Sequence, residues 1–181
     1  MGSKSTTLSK HHMQFIEEQK MFFVATAPVE GFINLSPKGT DSFRIIDDKT
    51  VVWLNLTGSG NETAAHVLED SRMTIMMNAF EGNPMILRLY GTATVIHERD
   101  KEWNQLIDLF TPALGSRQIF KLNIELVQTS CGFGVPFMTY QHDRSEMRKW
   151  AEKKGESGIR QYHLEKNVLS LNGKPTGLFS D

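Results

Sequence analysis

Apolar and polar residues alternate with a period of two along much of the chain. In residues 85–96, Leu87, Leu89, Gly91, Ala93 and Val95 share one side while Arg88, Tyr90, Thr92 and Thr94 share the other, which predicts a long half-buried strand. Residues 51–57 alternate in the same way. Val52, Leu54 and Leu56 form the apolar set, and Trp53, Asn55 and Thr57 form a side expected to face a ligand. In residues 120–127, Phe120, Leu122, Ile124 and Leu126 alternate with Lys121, Asn123 and Glu125, and residues 73–79 read as a further strand. MFFVATA at 21–27 and FINLS at 32–36, separated by Pro28 and Gly31, predict a hairpin.

Helical spacing is rarer. Phe15 and Ile16 among polar neighbours predict a short surface helix over 13–19, and Trp103, Leu106, Ile107 and Phe110 predict another over 100–110, ended by Pro112. Another is expected after the glycine-rich turn, in AAHVLED, and a charged one over 144–154; the stretch 155–181 reads as irregular. Six strands with few helices between them argue for a closed or split barrel rather than a doubly wound sheet. The chain is therefore expected to form one domain over 1–181, with a barrel over 13–136 and an extension over 137–181.

The segment TGSGNET, residues 57–63, follows a strand and precedes a helix. Gly58 and Gly60 allow close approach to the backbone, Ser59 and Glu62 have capping-box spacing, and a helix N-terminus favours an anion. Taken alone this is equally an ordinary capped turn. A second anion-binding candidate is SPKG, where Lys38 supplies a point charge beside Ser36 and Gly39. Arg88 interrupts an apolar run and needs either an anion or an intrachain partner. Converging on one phosphoester, these elements would leave the face of Trp53 and Asn55 to a planar ring, which points to a nucleotide-like cofactor.

Composition narrows the classes. A formal net charge of −1 provides no broad basic field for nucleic acid or an anionic membrane. The single cysteine, Cys131, excludes an intrachain disulfide and reads as a small hydrophobe more readily than as a redox thiol. The histidines are scattered without metal-ligand spacing, no metal is expected, and the serine-hydrolase pattern G-x-S-x-G is missing. A polar N-terminus and the lack of a run of about 20 apolar residues predict a soluble, cytoplasmic protein.

SPKG, WLNLTGSGNETAAHV, ILRLYGTA and VQTSCGFGVP, in that order and spacing, resemble the pyridoxamine 5′-phosphate oxidase-like FMN-binding split-barrel family. The resemblance covers residues 14–136. It implies a six-stranded antiparallel split β-barrel with peripheral helices, working as a homodimer with FMN in a cleft between subunits. It also implies an oxidoreductase acting on a small molecule; a flavin-storing or sensing module, or a barrel holding haem or a deazaflavin, are the alternatives. Carried over residue by residue, Ser36 and Lys38 correspond to phosphate contacts, as do Ser59, Asn61 and Thr63 in the turn. Trp53, Leu54 and Asn55 correspond to the stretch beside the flavin ring, and Arg88 to a further cofactor contact. No catalytic side chain is assigned. The tail LSLNGKPTG lacks the arginine and histidine signature that fixes the vitamin phosphate in the true oxidase. This tail is expected to close over the ligand instead, with Tyr162, Asn167 and Asn172 as its polar groups.

Overall fold

The computed structural model describes residues 2–179. Eight strands occur in it: β1 Lys4–Ser5, β2 Phe22–Thr26, β3 Asn34–Lys38, β4 Phe43–Ile45, β5 Thr50–Leu56, β6 Arg72–Asn78, β7 Ile86–Ile96 and β8 Ser116–Ser130. They form one antiparallel sheet of order β3-β2-β6-β7-β8-β5-β4, with β1 added to β8. The four helices are α1 Lys10–Glu18, α2 Glu62–Glu69, α3 Trp103–Ile107 and α4 Glu146–Lys166. The split-barrel class is as expected. The strand count is eight rather than six, because the two-residue β1 and three-residue β4 are too short to carry an alternation.

The barrel interior is filled by alternate residues of the long strands: Val24 from β2, Ile75 from β6, Leu87 and Leu89 from β7, Val51 and Trp53 from β5, and Phe120 and Leu122 from β8. Trp53 and Phe120 stack with centroids 4.5 Å apart, and Phe22 meets Trp53 edge-on. Phe15 and Ile16 of α1 join this core. A second cluster lies on the other face of the same strands, where Val52, Leu54 and Ile119 pack against Trp103 and Phe110. Residues 51–55 are therefore buried on both faces, and the expectation that Trp53 lies on an open ligand side is corrected: it belongs to the barrel core.

Strand β8 departs from regular pairing twice. Opposite β7 the register shifts between Tyr90 and Gly91, placing Leu126 and then Ile124 against consecutive residues. The extra residue there reverses the phase, so Val127 is buried and Leu126 is only half-buried. Gly91 is required at this crossing, because a Cβ there would lie 1.9 Å from the Asn123 carbonyl oxygen. Opposite β5, Asn55 pairs with Gln118 but Leu56 pairs with Ser116, which leaves Arg117 as an unpaired bulge residue.

The extension is more regular than expected. A helical stretch ends at Gly155, whose φ of 64° interrupts α4, and a second stretch continues to Lys166. Beyond it the backbone turns back through a bridge between Leu169 and Pro175. No helix among the described residues is long and apolar enough to cross a membrane.

Candidate functional site

Strand β3, the C-terminal end of β5, the glycine-rich turn and the start of α2 enclose a cleft of about 720 Å³, a volume typical of ligand sites. Of the residues singled out in the sequence, Ser36, Lys38, Leu54, Asn55, Ser59, Asn61 and Thr63 line it. Trp53 and Arg88 do not. Trp53 lies behind the wall, its ring 5.1 Å from Lys38 Nζ, in a cation–π contact that holds the lysine without neutralising it. Arg88 Nη1 donates to Ser130 Oγ at 3.2 Å, on the β7–β8 ladder.

The turn does not form the expected capping box. Asn61, not Ser59, is the N-cap of α2, and no side chain caps the helix. The Glu62 carboxylate instead accepts from the Leu171 N–H at 3.0 Å, tying the tail to the helix. The first-turn N–H groups of α2 thus remain without a side-chain acceptor, as an anion requires. Thr63 Oγ1 accepts from Asn34 Nδ2 at 3.2 Å, which leaves the threonine's own proton to give.

Arg117 is the residue that sequence reasoning missed. As the bulge residue of β8 it leaves the strand alternation, and its side chain lines the cleft and donates from Nη1 to the Gly60 carbonyl at 3.0 Å. It is 6% exposed and its Nε has no partner. Burial lowers its pKa to about 10. Lys38 is lowered to about 8, first by burial and then by the charge of Arg117. Among the described residues neither cation forms a salt bridge. Ser36 Oγ and Asn61 Oδ1 are also buried without partners. Two half-desolvated cations, a free hydroxyl and an uncapped helix start around one space fit a phosphate monoester.

The tail closes one side of the cleft through Lys166, Leu169, Ser170 and Leu171. Asn167 lies behind the turn, fully buried; its Nδ2 donates to the Gly58 carbonyl at 3.1 Å, and its own carbonyl accepts from Asn61 Nδ2 at 3.2 Å. Asn172 Oδ1 accepts from the Phe32 N–H at 3.3 Å and so pins the β2–β3 hairpin. Tyr162 is outside the cleft, edge-on to Trp150. Next to the turn, the Thr57 hydroxyl donates to the Gly115 carbonyl at 2.8 Å and lies 2.7 Å from His163 Nε2, which must then carry the proton. Burial, and secondarily Arg117, lower His163 to about 4.

Among the described residues no group of three or more His, Cys, Asp and Glu is placed to hold a metal ion. Cys131 is exposed and unpaired with another cysteine.

Comparison with known proteins places the chain in a family. Residues 8–131 match the family described as pyridoxamine 5′-phosphate oxidase. The chain is 34% identical over 194 residues to the pyridoxamine 5′-phosphate oxidase family protein ustO of Aspergillus flavus, covering 96% of this chain and 77% of that one. Two solved structures share the fold. One is a Lactobacillus delbrueckii protein provisionally described as a pyridoxamine 5′-phosphate oxidase, at 21% identity and TM-score 0.55, covering 68% of this chain and 94% of that one. The other is HupZ of group A Streptococcus, at 19% identity and TM-score 0.55, covering 67% and 98%. By the extent of the family match and the identity to its fungal relative, this chain belongs to the pyridoxamine 5′-phosphate oxidase family.

Proposed function

We propose that the cleft binds FMN and that the protein is an FMN-dependent oxidoreductase acting on a small molecule. The observation that carries this reading is the pair of cations, Lys38 and Arg117, gathered without a carboxylate partner beside the buried Ser36 hydroxyl and the uncapped start of α2. Ser36, Lys38, Thr63 and Arg117 would hold the phosphate, and Leu54 and Asn55 border the remaining space. FMN supplies the electron-transfer chemistry when bound. The chain's own work is to bind and to shield. Lys38 takes up or retains its proton as the anion arrives, Arg117 donates from Nε, and Leu169 and Leu171 exclude water from the tail side.

The cleft lining contains no histidine, cysteine or tyrosine, and its one carboxylate, Glu62, is engaged by the tail. This favours flavin over haem, which needs an axial ligand. It also supports a second reading, a flavin-storing or sensing module, because no acid or base is at hand.

The proposal includes a homodimer with the cleft completed by the second copy. In support, edge strand β3 and the turn before it expose Phe32, Ile33 and Leu35 beside the cleft. Arg88 would then approach the cofactor only from the partner. The reading places the protein in the cytoplasm, where an exposed thiol such as Cys131 stays reduced.

A flavin titration tests the site. FMN is expected to bind at least about tenfold tighter than riboflavin, the worth of one charge-assisted phosphate contact; equal affinities overturn the assignment. Dilution is expected to weaken FMN binding, and a monomer in sedimentation that holds FMN at full stoichiometry rejects the shared cleft. Pyridoxamine 5′-phosphate is expected to be oxidised slowly or not at all. Saturable formation of pyridoxal 5′-phosphate and hydrogen peroxide at about 10 per second would restore the vitamin substrate.

A further inference from the structure

Arg117 forms part of a second cavity as well. This space, of about 860 Å³, lies between residues 97–99 after β7, the stretch 113–117 and the second half of α4. Three guanidinium groups line it, Arg99, Arg117 and Arg160, together with His97 and His163. Its carboxylates are Glu98 and Glu156, and among the described residues neither forms a salt bridge with these arginines. The arginines are held in other ways. Arg99 donates to the carbonyls of Gly177 and Leu178 at 2.7 and 3.1 Å, and Arg160 stacks over the Phe179 ring at 5.1 Å.

Two polar atoms at this cavity have no partner among the described residues, Arg117 Nε and His97 Nδ1, on residues only 6% and 5% exposed. A buried guanidinium N–H without an acceptor is costly, and the group that satisfies it best is an anion. The rest of the wall is apolar, with Trp103, Leu114, Ile159 and Phe179. We propose that this cavity is a second binding site, for a small organic anion, a carboxylate or phosphate on an apolar body. Arg117 and Arg160 receive the charged head, and Trp103 and Phe179 the body. Burial, and after it the charge of Arg99, keeps His97 neutral with a pKa of about 4, so its imidazole offers one N–H without adding a charge. The assignment does not depend on what fills the first cleft, although the shared Arg117 makes the two sites neighbours.

Calorimetry on the full chain, with and without saturating FMN, tests it. The probes are phenyl phosphate, benzoate and uncharged benzyl alcohol, and the Trp103 indole N–H signal in NMR reports the location. The expected result is saturable one-to-one binding of an anionic probe in both preparations, a shift of the Trp103 signal, and no saturation by benzyl alcohol. Which anion binds tighter separates a carboxylate site from a phosphate site. Arg160→Ala, on an exposed helix position, is expected to weaken the probe at least tenfold, and Arg160→Lys less, while FMN affinity stays within twofold. The proposal is overturned if FMN displaces the probe, if benzyl alcohol binds equally well, if Arg160→Ala has no effect, or if no probe binds. Binding only to a chain shortened after Phe179 would also overturn it, assigning the cavity to residues 180–181.

Discussion

On the inner side of β5, Trp53 lies face to face with Phe120, and the aromatic and aliphatic groups around them leave no exposed surface. Around the outer end of the same strand the opposite holds. Of eight buried side-chain polar atoms without a partner among the described residues, four gather at or just behind the cleft: Ser36 Oγ, Asn61 Oδ1, Arg117 Nε and Asn167 Oδ1. Two cations sit there without a carboxylate in a salt bridge. The interior is built for stability, whereas the cleft keeps unmet hydrogen-bonding capacity at a cost to the ligand-free fold. Substitutions in the two regions should therefore move stability and binding in different directions.

The largest effect is expected in the interior. Trp53→Ala removes a stacked, fully buried ring and should cost about 3–5 kcal/mol in urea unfolding; a loss under 1 kcal/mol would contradict the packing. In the cleft, Arg117→Gln is expected to weaken FMN by about 1.5–3 kcal/mol in a fluorescence titration, with the urea midpoint unchanged or raised. A stability loss equal to the binding loss would erase the distinction between the regions.

His163 gives a pH handle. Its folded pKa of about 4 lies below the unfolded value of 6.5, so between the two the unfolded chain binds more protons. Stability should fall as pH drops through that window, by about 1–2 kcal/mol at pH 5, and Thr57→Val should alter that dependence by removing the hydrogen-bond partner. A flat profile from pH 7 to 5 would refute the neutral buried imidazole.

Lys38→Met should show the trade-off within one residue. FMN is expected to weaken about tenfold, and the ligand-free Tm to rise by about 2–4 °C, the response of a chain this size to about 1 kcal/mol. In the wild type, FMN affinity should decline as pH rises through about 8, because the free lysine then enters the encounter unprotonated. Affinity rising over that range would show that Lys38 does not face the phosphate. Ser36→Ala is the smallest change, about 0.5–1.5 kcal/mol in FMN affinity, with stability preserved.

Sequence reasoning reached these regions unequally. The alternation of β7 was legible because one side of it faces the core and the other is partly open. In β5 both sides are buried, so alternation identified the strand but misplaced Trp53, assigned to the ligand when it belongs to the barrel. The glycine-rich turn was legible as an anion site from local chemistry, although its cap residue is Asn61 and Glu62 serves the tail. Arg117 was out of reach, since only the pairing of β8 with β5 reveals a bulge at that position. The second half of α4 was missed because few anchors, such as Ile159 and His163, mark its buried face.

The two bulges of β8 also bear on how this chain tolerates changes of length. Between Arg117 and Glu125, the strand is clamped on both sides by β5 and β7, and its phase is set separately at each end. One residue added or removed within 118–124 would turn Phe120 and Leu122 out of the barrel and bring Lys121 and Asn123 in, while leaving both neighbouring ladders to find a new register. A residue gained or lost in 108–115, outside any strand, disturbs no ladder. Relatives of this protein should therefore differ in length before β8 and keep a constant count of residues between its two irregularities.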